Sequence, residues 1–248
     1  MERPAIPCCC LSNDNESVRI VLLPGMDGTG ILLRPFVQLL PVGIDATVVS
    51  YPEDIYLTHQ QLAKLVLDIV PCSEPYVILA ESYSGPVACL LAAHPVGNLC
   101  AVVFVASFVS LPWGAIGRWI AEILPTALFR PRTPAWILRW LLMDADTPIE
   151  MISEAQDIIA RVRPEVLAQR LRDSLNADFG PTLRDSTVRV VCLVPESDRL
   201  LGERGLRGFL AAKPSIEVVR VAGPHSILQC APAGSLTSLQ KTGVFSDK

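Results

Sequence analysis

The chain has 248 residues, half of them hydrophobic, and a formal net charge of −4 at pH 7. This length and apolar content suffice for one substantial hydrophobic core, so we expect a single domain over residues 1–248. The basic residues are scattered along the chain, which argues against nucleic-acid binding.

Apolar, β-branched runs alternate with segments of helical periodicity, a pattern typical of a parallel sheet with helices on both faces. The runs predict strands near 18–23, 45–50, 76–81, 101–107, 188–194 and 216–221. We therefore predict an α/β fold whose sheet is mostly parallel, has about six strands and is flanked by helices.

A glycine-rich loop follows the first predicted strand. Residues 24–30 read Pro-Gly-Met-Asp-Gly-Thr-Gly, and the three glycines allow a sharp turn that points backbone N–H groups inward. Such groups can stabilise an oxyanion or bind a phosphate. The loop lacks the Lys-Ser or Lys-Thr of a Walker-type loop and the G-x-G-x-x-G spacing of a dinucleotide-binding loop, which favours the first role.

The third predicted strand delivers Ser82 into a turn, within the run Val-Ile-Leu-Ala-Glu-Ser-Tyr-Ser-Gly. A strand-turn-helix elbow presents a nucleophilic serine in a strained, positive-φ conformation, provided that the residues two before and two after it are small. Ala80 and Ser84 meet that condition, although glycine is usual at both places. Ser82 is thus the candidate nucleophile and Ser84 a weaker alternative, while an ordinary turn serine is the competing interpretation.

Residues 111–182 lack strand signals and interrupt the alternation, so we predict that this inserted segment forms a helical cap. Its first half contains all four tryptophans of the chain, namely Trp113, Trp119, Trp136 and Trp140. Such residues most often pack a helix against the core. The alternative is a substrate-binding role, in which they roof an apolar acyl pocket and also make weak contact with membranes or lipids.

The last two predicted strands deliver a carboxylate and an imidazole. The fifth strand leads into Pro-Glu-Ser-Asp, which ends at Asp198, and the sixth is followed by His225. An isolated Asp after a strand is usually a turn cap. Three residues of the required types, each after its own strand and in the order Ser, Asp, His, rarely coincide by chance. We therefore predict Ser82 as nucleophile, Asp198 as acid and His225 as base, with Glu196 as the alternative acid.

The runs LPGMDGTG (23–30) and LAESYSGP (79–86), with the triad order, resemble the α/β-hydrolase superfamily over most of the chain, and in particular its small bacterial members. The resemblance implies an α/β-hydrolase fold with a helical cap. It also implies that the backbone N–H groups of Met26 and Tyr83 form the oxyanion hole. The fold hosts many activities, so the family does not identify the substrate.

From these residues we expect a serine hydrolase that cleaves a small-molecule carboxylic ester or thioester with an apolar acyl group, through an acyl-enzyme. Two alternatives remain, an acyltransferase that uses the same acyl-enzyme and a catalytically inactive binding protein. We expect neither a metal nor an organic cofactor.

The expected location is the cytoplasm, because the N-terminal residues lack the features of a signal peptide. Cys89, Cys100 and Cys192 lie in apolar segments, where reduced thiols are the default. The triplet Cys8-Cys9-Cys10 has no companion ligands at metal-binding spacing, which favours an irregular edge strand over a metal or lipid site.

Overall fold

The computed structural model of the protein describes residues 19–70, 74–111, 114–130 and 132–245. Within these ranges, six strands form one sheet in which every neighbouring pair is parallel. The strands are β1 (Arg19–Leu23), β2 (Asp45–Val48), β3 (Pro75–Glu81), β4 (Asn98–Val105), β5 (Arg189–Pro195) and β6 (Glu217–Val221). The predicted sheet is confirmed, and it is entirely parallel.

Helices occupy the intervals between the strands. In the described residues they are α1 (Arg34–Val37), α2 (His59–Leu67), α3 (Gly85–Ala93), α4 (Gly114–Ile123), α5 (Ala135–Leu141), α6 (Ile149–Ile159), α7 (Pro164–Asn176), α8 (Gly180–Arg184), α9 (Gly202–Ala212), α10 (Ile227–Cys230) and α11 (Pro232–Lys241). Short 3-10 turns cover Ile31–Leu33, Ser82–Ser84 and Thr126–Phe129.

The hydrophobic core lies on both faces of the sheet, because successive strand residues point to opposite sides. In β1, Ile20 and Leu22 pack in one core cluster with Phe36 of α1. Val21, between them, packs in the other cluster with Leu62 of α2. This arrangement explains why the strands read as continuous apolar runs.

The strand order β2-β1-β3-β4-β5-β6 places the point of reversal at β1. The chain passes from β1 to β2 on one side and then returns to β3 on the other side. In open parallel sheets, the loops that leave the carboxyl ends of strands at such a point form a crevice where ligands bind. The loops after β1 and β3 are the glycine-rich loop and the serine turn.

The inserted segment joins β4 to β5 and is helical where it is described. Helix α4 and the turn Thr126–Phe129 pack against α7, and α5 packs against α6. That this segment acts as a cap remains a prediction. Among the described residues, no helix has both the length and the apolar character needed to cross a membrane.

Candidate active site

Ser82 follows the last residue of β3 and begins the 3-10 turn that leads into α3. Its φ is +46°, the left-handed conformation expected for an elbow serine. A residue other than glycine is strained there, so the surrounding contacts must hold it. One such contact is the hydroxyl of Ser107, which donates a 2.7 Å hydrogen bond to the carbonyl oxygen of Ser82.

The close approach at the elbow falls on Gly85. A Cβ at this position would lie 2.2 Å from Oγ of Ser107 and 2.4 Å from the carbonyl oxygen of Phe108. Glycine is therefore required three residues after Ser82, where α3 crosses the loop that follows β4.

Ser84 has a structural position, and its assignment as an alternative nucleophile is wrong. The residue is completely buried, and its hydroxyl donates a 2.5 Å hydrogen bond to the carbonyl oxygen of Pro24. Because that hydroxyl proton is already donated, the 2.8 Å contact with Tyr51 has the tyrosine hydroxyl as donor. Both hydrogen bonds tie the elbow to its neighbours.

Ser82, His225 and Asp198 form a continuous hydrogen-bonded chain. Oγ of Ser82 lies 2.9 Å from Nε2 of His225, and Nδ1 of His225 lies 2.9 Å from Oδ2 of Asp198. A neutral imidazole that donates from Nδ1 to the carboxylate leaves Nε2 free to accept the serine proton. The three predicted side chains therefore meet in the order that nucleophile activation requires.

Asp198 is held by more than the histidine. Its Oδ1 accepts hydrogen bonds from the backbone N–H groups of Leu200 and Leu201, at 2.8 and 2.9 Å. Burial alone raises the pKa of Asp198, but the hydrogen bond and charge of His225 together with backbone donors outweigh it and keep the pKa below its usual range. Glu196, the alternative acid, is exposed, and it is Asp198 that contacts the imidazole.

The glycine-rich loop after β1 makes a tight turn beside Ser82. The N–H of Gly28 donates to the carbonyl oxygen of Gly25 at 3.1 Å, and Gly28 itself has a φ of +76°. Met26 lines the same cavity as Ser82 and His225. Tyr83, the other predicted oxyanion residue, directly follows the serine, and its side chain is fully buried.

No protein-family model matches the sequence, and no curated protein matches it either. Solved structures do match. A thermophilic esterase from Thermogutta terrifontis has a TM-score of 0.76 at 13% identity, covering 94% of this chain and 92% of the other. An enol-lactonase from Burkholderia xenovorans has a TM-score of 0.72 at 16% identity over 94% of both chains. A lipase-esterase related protein from Clostridium acetobutylicum has a TM-score of 0.72 at 13% identity, over 93% of this chain and 96% of the other.

The chain has the α/β-hydrolase fold. The fold predicted from the resemblance is thus confirmed. Because these identities are low, the likeness establishes the fold alone, and the function must be argued from the site.

A cavity of about 220 Å³ opens over Ser82 and His225 of this α/β-hydrolase fold. Much of its wall is apolar and consists of Met26, Leu32, Phe129, Leu142, Ile159, Leu167 and Leu200. Four of these side chains, from Phe129 to Leu167, come from the inserted segment. An apolar wall with a few polar groups at one end is typical of a site for a small apolar ligand.

The polar end of the cavity includes Glu81, which precedes the serine. Glu81 is buried and accepts a 2.9 Å hydrogen bond from the side-chain amide of Gln229. Burial raises the pKa of Glu81 to about 7; the charge of Asp27 adds to this effect, while hydrogen bonds from Gln229 and the N–H of Gly25 oppose it. A carboxyl group that titrates near neutral pH therefore lies next to the nucleophile.

The three tryptophans that the structure describes do not contribute to this cavity. Trp119, Trp136 and Trp140 are 60%, 69% and 58% exposed, and none of them lines the cavity wall. Both predictions for these three residues, burial against the core and a roof over the pocket, are wrong. The reason is helix orientation, since α5 buries Leu138 and turns Trp136 and Trp140 to the surface. Trp113 lies outside the described residues.

Metal ligands do not cluster in the described ranges: no group of three His, Cys, Asp or Glu side chains there could hold an ion.

Cys89 and Cys192 are buried free thiols, and burial raises the pKa of both. Cys8, Cys9 and Cys10 lie outside the described residues.

Two residues near the site were missed by sequence reasoning. Glu81 was overlooked because its neighbours define a strand, although a charged residue at the end of an apolar run is a signal. Arg170 lies on α7 three residues after Leu167, so the two share one helix face. A charge on the apolar face of a helix was the signal that could have identified it.

Proposed function

We propose that this protein is a serine hydrolase that cleaves a carboxylic ester or thioester with an apolar acyl group. The observation that carries the proposal is the pair of 2.9 Å contacts that connect Ser82, His225 and Asp198 beneath a cavity with largely apolar walls. An imidazole that is oriented by a carboxylate can take the proton of a serine hydroxyl, which converts that weak nucleophile into an active one.

In the acylation step, Oγ of Ser82 forms a bond to the carbonyl carbon while Nε2 of His225 takes the serine proton. Asp198 stabilises the imidazolium cation through its contact with Nδ1. The backbone N–H groups of Met26 and Tyr83 donate to the oxyanion of the tetrahedral intermediate. The intermediate collapses as the bond to the leaving oxygen or sulfur breaks, and Nε2 returns the proton to that atom.

In the deacylation step, a water molecule attacks the acyl-enzyme. His225 removes the water proton, the oxyanion forms again at the same donors, and the carboxylic acid leaves as the proton passes to Oγ of Ser82. The apolar wall formed by residues such as Phe129 and Leu167 suits the hydrocarbon part of the acyl group.

The solved structures with the same fold support the class of reaction. They include an esterase and an enol-lactonase, whose names describe cleavage of an ester or a cyclic ester. The apolar character of the proposed acyl group is inferred from the cavity of this chain and not from these structures.

The test is hydrolysis of p-nitrophenyl esters and acyl-CoA thioesters of graded chain length by the wild type, Ser82→Ala and Ser197→Ala. We expect Ser82→Ala to lower kcat by about 10⁴- to 10⁶-fold. Ser197, an exposed serine close to the candidate acid, serves as the control and should retain full activity. A fluorophosphonate probe should label the wild type and not Ser82→Ala.

Turnover by Ser82→Ala that equals the wild type would refute the assignment. Failure of the probe to label the wild-type protein, with no turnover of any ester, would indicate a binding protein. Release of acylated acceptor in preference to free acid, when an alcohol or thiol is added, would indicate an acyltransferase.

A further inference from the structure

Arg170 is the largest fully buried side chain of the described residues, with 2% of its surface exposed. A buried guanidinium is costly unless its N–H groups are hydrogen-bonded. Here the partners are backbone carbonyl oxygens. Nη1 donates to Met26 at 2.9 Å and to Asp27 at 2.8 Å, and Nη2 donates to Pro52 at 2.9 Å.

Two aromatic rings complete the surroundings of this cation. The guanidinium carbon of Arg170 lies 5.9 Å from the ring centroid of Tyr51 and 5.9 Å from that of Tyr83. These are distances at which a ring face attracts a cation. Tyr51 donates to Ser84 of the elbow, and Tyr83 follows the nucleophile. One side chain from the inserted segment therefore contacts both halves of the proposed oxyanion hole.

The glycine-rich loop is shaped around this guanidinium. A Cβ on Gly28 would lie 2.5 Å from Nη1 of Arg170, so glycine is required for the close approach. Within the loop, the carbonyl oxygen of Gly25 is bound by the N–H of Gly28, and those of Met26 and Asp27 are bound by Arg170. A planar peptide group joins the carbonyl of one residue to the N–H of the next, so the carbonyls held by Arg170 fix the N–H groups of Asp27 and Gly28. The N–H of Gly28 in turn holds the carbonyl of Gly25, which lies in the same peptide plane as the N–H of Met26.

We propose that Arg170 is a positioning residue that holds the N–H groups of Met26 and Tyr83 in place for the oxyanion. This inference rests on the proposed function. Arg170 is not among the residues that line the cavity, so it acts through the loop and the tyrosine ring. Preorganised donors stabilise a transition state because they need no reorientation when charge develops.

Helix α7 connects this support to the substrate cavity. Leu167 lines the cavity, and Arg170 follows it on the same helix face. The inserted segment thus contributes to the reaction as well as to the pocket wall. A displacement of α7 would move the pocket wall and loosen the oxyanion donors together.

The experiment compares Arg170→Lys and Arg170→Gln with Arg172→Lys and Arg172→Gln. Arg172 is a matched control on the same helix, since it also donates to a backbone carbonyl, that of Leu124, at 2.6 Å. The lysine variant keeps the charge and the glutamine variant keeps two N–H donors, and either one that folds can be used. Each protein is assayed for kcat, for KM, for inhibition by a trifluoromethyl ketone that forms a tetrahedral adduct, and for its melting temperature.

We expect a 10- to 100-fold fall in kcat for the Arg170 variants, a KM within about threefold of the wild type, and an inhibitor affinity that falls in parallel with kcat/KM. The Arg172 variants should keep kcat and inhibitor affinity within about twofold of the wild type. A fall in kcat and inhibitor affinity indicates that Arg170 positions the oxyanion donors. A general loss of stability would instead leave kcat per folded molecule unchanged.

Equal kcat and equal inhibitor affinity for the Arg170 and Arg172 variants would overturn the inference while leaving the serine mechanism intact. If neither Arg170 variant folds, methylguanidine is added to Arg170→Gly during refolding. Recovery of structure without recovery of kcat would then also overturn the inference. Failure of the proposed function itself is recognised separately, by full activity of Ser82→Ala.

Discussion

The side-chain amide of Gln229 donates a 2.9 Å hydrogen bond to the buried carboxylate of Glu81. This contact joins α10, which follows His225, to the end of the strand that delivers Ser82. Burial raises the pKa of Glu81 to about 7, from an ordinary value of 4.5. The charge state of a residue next to the nucleophile therefore depends on pH in the neutral range.

Glu81→Gln should remove one pH dependence of stability. Because the pKa of Glu81 is raised on folding, the folded state binds more protons than the unfolded state between the two values. The free energy of unfolding then falls as the pH rises from 4.5 to about 7, by roughly 3 kcal/mol at most. Urea titrations at pH 5 and pH 8 should show this fall in the wild type and a smaller one in Glu81→Gln.

The control for that experiment is Glu122→Gln, which removes an exposed carboxylate of α4. The free energy of unfolding of this variant should fall between pH 5 and pH 8 by as much as that of the wild type. If Glu81→Gln has the same pH dependence as the wild type, Glu81 does not titrate as the structure indicates.

Asp198→Asn should lower kcat by about 10⁴-fold with little change in KM. The amide can no longer hold the imidazole tautomer in which Nε2 accepts the serine proton, and it cannot stabilise the cation. Glu196→Gln, two residues earlier in the same loop, should retain wild-type kcat. If kcat fell equally in both variants, loss of the contact between His225 and Asp198 would not be the cause.

Gly85→Ala should destabilise the protein, because the added Cβ would meet Ser107 and Phe108 at 2.2 and 2.4 Å. Overpacking of this kind costs about 1 to 3 kcal/mol. Gly180→Ala is the matched control, since its nearest neighbour would be 3.6 Å away. Denaturant unfolding of the two variants measures the difference, and similar midpoints would argue against the tight crossing of α3.

Phe129→Ala should raise KM for apolar esters by about tenfold, since one wall of the cavity loses its contact with the acyl chain. Trp136→Ala should leave KM unchanged, because Trp136 is 69% exposed and lies away from the cavity wall. Kinetics with a series of p-nitrophenyl esters check both statements. A larger effect at Trp136 than at Phe129 would show that the substrate binds elsewhere.

Much of the fold could be predicted from the sequence, because the relevant information is local. Strands that are buried on both faces need continuous apolar residues, and these runs marked all six strands. The residues in the turns that follow the strands can also be recognised from the local sequence. Ser82, Asp198 and His225 could therefore be chosen without coordinates.

What the sequence could not determine is distance and direction. Ser82 and His225 are 143 residues apart, and only the strand order brings their side chains to 2.9 Å. Hydrophobic composition predicted that Trp136 and Trp140 are buried or line a pocket, whereas the packing of α5 leaves them exposed. The position of Arg170 against the glycine-rich loop likewise depends on how α7 packs against the loops that follow β1 and β2. Local chemistry decides which residues can react or pack, but long-range docking decides which of them meet.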